Sequence, residues 1–125
     1  WNKPIFASDV VTERKSAFLA HAAQVDSSAD IQALVDHLRT STTSRRLKKA
    51  THCMWAWRTD TDAGQNDGGE SGAGERLARL LELSNCRNAA VVVWRWYGGV
   101  PLGSARWKCI SGTAKEALRR GGFMR

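Results

Sequence analysis

The spacing of apolar positions divides the chain into alternating strand-like and helix-like stretches. Phe18, Ala20 and Ala22 lie on one alternating face of Lys15 to Val25, the period of a strand, and Phe6 to Val11 is its predicted hairpin partner. Ser27 and Asp30 then flank a helix start, after which Ile31, Leu34, Val35 and Leu38 repeat at helical spacing. Cys53, Trp55 and Trp57 alternate with His52, Met54, Ala56 and Arg58, which predicts a second strand over Ala50 to Thr59. Asp60 to Gly74 is rich in Asp, Gly, Ser and Asn and reads as loop. Leu77, Leu80 and Leu81 stripe a short helix from Glu75 to Leu83, closed near Asn85. Ala89 to Trp96 is apolar except at Arg95, as in a central strand covered on both faces. Beyond the turn Tyr97 to Gly103, the recurrence of Trp107, Ile110, Ala114, Ala117 and Leu118 predicts a last helix ending near Gly121. This order implies a single α+β domain over 1–125, one mixed sheet with three helices covering a face.

Composition adds limits. A chain of 125 residues, 42% hydrophobic and 25% charged, suits one globular domain, and no apolar stretch approaches the roughly 20 residues that span a bilayer. Trp1 at the start, with no secretory signal after it, reads as a fragment or processed chain. Cys53, Cys86 and Cys109 are odd in number and widely spaced, which points to reduced thiols in the cytoplasm rather than disulfides or a zinc site. Nineteen Lys and Arg against twelve Asp and Glu give a net charge of +7, which favours an anionic partner. Arg45, Arg46, Lys48 and Lys49, in the basic stretch from Ser44 to Lys49, form the densest cationic cluster. They are read either as a phosphate-contacting patch or as a solvated face.

The loop holds the most unusual local chemistry. Gly69 to Gly74 has P-loop-like glycine spacing, but Glu75 and Arg76 stand where a P-loop needs Lys and a hydroxyl residue, so nucleotide binding and hydrolysis are not expected. His52, Asp67 and Glu70, with Cys53 or Ser71 as a nucleophile, have no triad, nucleophile-elbow or metal-ligand spacing. The sequence therefore predicts no catalytic residues, no metal and no cofactor. The turn at Gly98 and Gly99 is expected to bring Arg95 and Arg106 to the Asp67 to Glu70 loop, forming either a ligand cleft or a buried Arg–carboxylate clamp, with the clamp favoured. Of the six tryptophans, Trp55, Trp57 and Trp94 read as covered, while Trp96 and Trp107 flank the turn, where they pack or stack on a base.

Several of these segments together resemble the IMPACT family. They are Lys15 to His21, Lys49 to Arg58, Gly69-Glu70-Ser71-Gly72-Ala73-Gly74-Glu75-Arg76-Leu77, and Val91 to Gly103 with its Arg95-Trp96-Tyr97-Gly98-Gly99 core. The likeness runs from about Lys15 to Leu118 and implies the conserved C-terminal domain of eukaryotic IMPACT-type regulators, with bacterial relatives. It also implies a fold similar to the left-handed β-α-β superfold of ribosomal-protein-like domains. Where the family usually reads D-D-G-E this chain has Asp67-Gly68-Gly69-Glu70, so a role needing two adjacent carboxylates is not carried over. Eukaryotic members add an RWD domain that contacts the activator of the general-control kinase, and no RWD-like sequence stands here. What the resemblance implies is a ribosome- or RNA-associated module of translation control linked to amino-acid stress. The alternatives are a protein–protein regulator of the pathway of the initiation-factor-two kinase without RNA contact and, with least support, an unrecognised enzyme. No membrane partner is expected.

Overall fold

The computed structural model describes residues 1–41 and 45–125. Its elements are β1 (Ile5–Ala7), β2 (Val11–Glu13), β3 (Ser16–Gln24), α1 (Ala29–Thr40), α2 (Arg45–Lys48), β4 (His52–Arg58), β5 (Ala63–Asn66), α3 (Ala73–Leu83), β6 (Ala89–Trp96) and α4 (Ala105–Arg120). The six strands form one sheet in the order β1-β3-β6-β4-β5, with β2 also paired to β3. The α+β class is as the sequence predicts, and β6 is the central strand.

Three details differ from the sequence reading. Every strand pair is antiparallel, so the sheet is not mixed: β3 and β4 run the same way but β6 lies between them and opposes both. The Phe6 to Val11 strand is two short strands, interrupted where Ser8 turns inward and its Oγ accepts the Ala20 N–H at 2.9 Å. Inside the predicted loop, β5 pairs with β4 as an edge strand. Its Ala-Gly-Gln-Asn sequence has no apolar alternation because it is largely exposed.

Among the described residues the helices number four, and they cover both faces. Ala89, Val91 and Val93 of β6 pack with Phe18, Met54, Leu77, Leu81, Ile110 and Leu118, beneath α3 and α4. Ala90, Val92 and Trp94 face the other way, onto Ile31, Leu34, Val35 and Leu38 of α1 and Leu47 of α2. Two-sided burial is what the unbroken apolar run of β6 requires, since alternate side chains point to opposite faces. The fourth helix, α2, forms within the basic stretch because Leu47 gives it a buried anchor. Ser44, the predicted start of that stretch, lies outside the described residues. The sheet thus carries a charged residue, Arg95, near the end of its most buried strand, on the face beneath α3 and α4.

Candidate functional site

Arg95 is 4% exposed at the edge of an apolar core, so its charge requires a partner within the protein. Register sets the neighbours: His52 lies opposite it on β4 and Phe18 on β3, and the guanidinium sits over the rings of Phe18 and Tyr97 at 5.4 and 5.5 Å. The partner is Glu70, likewise 4% exposed, whose Oε2 accepts from Arg95 Nη1 at 2.7 Å. Arg106 of α4 places Nη1 3.3 Å from Glu70 Oε1, and His52 Nε2 lies 3.7 Å from Oε2, an ion pair only when the ring carries both protons. His52 Nδ1 lies 3.1 Å from the Gly68 carbonyl, which can only accept, so that nitrogen bears the hydrogen.

A tight turn delivers Glu70. Gly68 has φ +57° and passes so close to the β4 backbone that an added Cβ would lie 1.9 Å from the Cys53 carbonyl oxygen, which leaves only glycine. The Glu70 N–H donates to the Asp67 carbonyl at 2.9 Å and the Ala73 N–H to the Glu70 carbonyl at 3.0 Å, carrying the turn into α3. Around these groups opens a cleft of about 490 Å³, lined by Thr51, His52, Glu70, Ser71, Arg95, Tyr97, Pro101, Leu102 and Arg106 with Gly69 and Gly103. Trp107 lines a separate hollow with Gly72, Glu75, Arg76 and Arg79, and the guanidinium groups of Arg106 and Arg76 lie 4.5 and 4.2 Å from its ring centre.

Of the residues expected in the cleft, the structure brings together His52, Glu70, Arg95 and Arg106. Asp67 goes elsewhere: its carboxylate accepts from the N–H groups of Gly72 at 3.2 Å and Gly74 at 2.7 Å, capping α3 from outside the helix. The reason is local, because free N–H groups at a helix start attract the nearest anion. The same cap occupies the helix end that the glycine spacing offered to a phosphate. Gly98 and Gly99 form the adjoining turn rather than the lining; Gly98 lies against the Lys15 backbone and donates its N–H to Ser16 Oγ at 3.3 Å.

Arg45, Arg46, Lys48 and Lys49 lie apart from the cleft, all exposed on and just after α2. Trp96 fixes them to the sheet: its Nε1 donates to the Arg46 carbonyl at 2.9 Å and the Arg46 guanidinium lies 4.9 Å from its ring centre. Both tryptophans read as base-stacking candidates therefore already hold arginine.

The sequence reading missed Ser16, Thr51 and Tyr97. Ser16, fully buried, accepts long hydrogen bonds from Arg95 Nη2 and Gly98, while Thr51 Oγ1 accepts from the Tyr97 N–H at 2.9 Å. Ser16 stood in one of the resembling segments, but nothing in its spacing told it from a surface hydroxyl. His21, never singled out, accepts from Trp94 Nε1 at 3.0 Å, and burial pulls its pKa down to about 4. Burial pushes the Cys53 thiol up to about 11, and those of Cys86 and Cys109 upward as well, so none is a ready nucleophile at neutral pH. Among the described residues no three His, Cys, Asp or Glu side chains are grouped to hold a metal ion, and no helix is long and apolar enough to cross a membrane.

Residues 14–118 match the family described as the Impact N-terminal domain. That description replaces the C-terminal position that the resemblance implied. A protein IMPACT homolog of Saccharomyces cerevisiae is 41% identical over 123 residues, which cover 94% of this chain and 46% of that protein, so the chain spans about half of its length. The structure of the two-domain translational regulator Yih1 aligns over 93% of this chain and 46% of its own, at 40% identity and a TM-score of 0.61. A crystal structure of a hypothetical protein aligns over 93% of this chain and 61% of its own, at 27% identity and a TM-score of 0.76.

Proposed function

The chain belongs to the Impact N-terminal domain family, and from that footing we propose that it is a binding module of translation control that docks on RNA through Arg45, Arg46, Lys48 and Lys49. The observation that carries this reading is the state of those four side chains. All are exposed, and among the described residues none forms an ion pair, although the chain has acidic groups that bind arginine and lysine elsewhere. Leu47 and Trp96 anchor the backbone beneath them, which lowers the entropy lost when they meet a phosphate chain. Contacts of this kind neutralise phosphates and set register without reading bases. The net charge of +7 supports the same partner class, and the similarity to a protein described as a translational regulator supports the setting.

In this reading the protein works in the cytoplasm beside the ribosome, within control linked to amino-acid stress, and is not an enzyme. Engagement of about four phosphates of single-stranded RNA gives log K against log salt a slope near −3, roughly −0.7 per contact. Changing all four residues to Ala is expected to flatten that slope, to weaken binding to all sequences alike, and to abolish co-sedimentation with ribosomes in low salt. Unaltered binding of RNA and ribosomes by this folded variant would reject the patch and favour a protein–protein regulator.

A further inference from the structure

Arg95 lies on the sheet face beneath α3 and α4 and Arg46 on α2, which packs against the other face, so the cleft around Glu70 is a second charged site, separate from the RNA patch. Its charges do not balance. Two guanidinium groups converge on one carboxylate, and each guanidinium carries five N–H donors. Against those donors stand the two oxygens of Glu70 and a long contact to Ser16 Oγ. The Nε–H groups of both arginines are buried without an acceptor, so part of their positive field is not answered by any hydrogen bond. Arg95 is sealed in, but Arg106 keeps a third of its side chain exposed, with its guanidinium over Trp107 at 4.5 Å from the ring centre. It is a pre-oriented, solvent-facing fork at the mouth of a positive cleft.

The other lining groups define the rest of a ligand. His52, Thr51 and Ser71 add an imidazole and two hydroxyls to the lining, and Tyr97, nearly half exposed, and Pro101 add apolar surface. A carboxylate has two oxygens for these donors, whereas a terminal phosphate has three and carries up to two charges. About 490 Å³ lies within the usual range for small-ligand sites. We propose that this cleft binds a terminal phosphate monoester on a nucleoside-sized group, with Arg106 as the principal phosphate contact and Tyr97 beneath the organic moiety. The phosphate comes either from a free nucleoside monophosphate or from the 5′ end of an RNA strand, which present the same chemistry.

The test is titration of the intact chain with a nucleoside 5′-monophosphate, its unphosphorylated nucleoside, inorganic phosphate and acetate, followed by calorimetry and by the amide and imidazole resonances of His52 and Arg106. The monophosphate is expected to saturate, inorganic phosphate to bind more weakly at the same resonances, and the nucleoside and acetate to leave them unmoved. Arg106→Gln should weaken the monophosphate by about tenfold or more, and Ser71→Ala, at an exposed position, by less. Unfolding curves of both variants identify any loss due to misfolding, and Ser71→Ala keeps the test alive if Arg106→Gln is unstable. In a chain with Arg45, Arg46, Lys48 and Lys49 changed to Ala, an RNA oligomer with a 5′-phosphate that outcompetes its 5′-hydroxyl twin identifies the strand end as the source. Equal competition leaves the free nucleotide. Absence of saturable monophosphate binding up to about 10 mM, equal binding of acetate, or binding that both variants leave intact overturns the proposal.

Discussion

Replacing Glu70 with Ala removes the carboxylate that pairs with both arginines and leaves Arg95, 5% exposed in its side chain, as a buried charge with no other ion-pair partner among the described residues. Such broken pairs cost roughly 3–5 kcal/mol, because the remaining charge keeps its desolvation penalty and loses its compensation. The Arg106 contact adds little: at 3.3 Å and a third exposed, that guanidinium can turn to water. The contacts with the rings of Phe18 and Tyr97 persist in the variant and leave Arg95 partly compensated, so the lower end, about 3 kcal/mol, is expected. For a domain whose total stability is on the order of 5–15 kcal/mol, this moves the melting temperature down by about 10 °C. Urea unfolding followed by tryptophan fluorescence and far-ultraviolet dichroism measures it. A cycle with Arg95→Met isolates the pair: the double variant should be destabilised by clearly less than the sum of the two single ones, since the second change removes the stranded charge. A loss below about 1 kcal/mol for Glu70→Ala, or additivity in the cycle, would show that the buried pair does not hold the loop to the sheet.

Further outcomes follow from the same structure. His21 titrates near 4 in the fold and near 6.5 when unfolded, so the unfolded chain takes up the extra proton between those values and stability falls as pH drops through that window, by at most about 3 kcal/mol. The difference in unfolding free energy between the parent and His21→Gln, measured at pH 7 and at pH 4.5, should shrink toward the lower pH; a constant difference would contradict the buried neutral imidazole. Native protein should react with a thiol reagent at neutral pH far more slowly than unfolded protein at all three cysteines, since each is buried with a raised pKa. Rapid modification of one thiol in the folded state would show that the segment carrying it opens. At Gly98 an added Cβ lies 2.1 Å from the Lys15 carbonyl oxygen, a backbone atom that cannot swing away, so Gly98→Ala is expected to lose about 3 kcal/mol or more. A melting temperature within a few degrees of the parent would mean that the turn can shift freely.

The elements with strong periodicity were legible from sequence. The stripe of α1 and the apolar run of β6 specify their burial directly, because each side chain's face follows from its position. What escaped was carried by tertiary context. β5 has no hydrophobic alternation to read, α2 depends on the single buried Leu47, and the break between β1 and β2 comes from one serine whose hydroxyl is satisfied by a distant strand. In the site, a lone arginine in an apolar strand and glutamate in a glycine-rich loop were enough to suggest that Arg95 and Glu70 meet. Asp67 was misplaced because a carboxylate before a helix has two attractions, the cleft cations and the helix N–H groups, and spacing alone does not rank them. His21 gave no signal, since its partner Trp94 lies far along the chain.

The position of β6 bears on how the chain assembles as it is made. Ala17 pairs with Trp96 and His52 with Arg95, so both β3 and β4 find their principal neighbour in β6, a strand that begins only at residue 89 of 125. Before that point the early β1-β2-β3 unit and the β4-β5 hairpin have nothing to seat between them, and Phe18, Met54 and Trp57 lack the β6 side chains that complete their clusters. Contacts so distant in sequence make closure slow, and the waiting halves are prone to pair with other chains. Synthesis interrupted short of Ala89 leaves two apolar half-sheets, whereas eight further residues, Ala89 to Trp96, supply the strand that joins both and the arginine that receives Glu70.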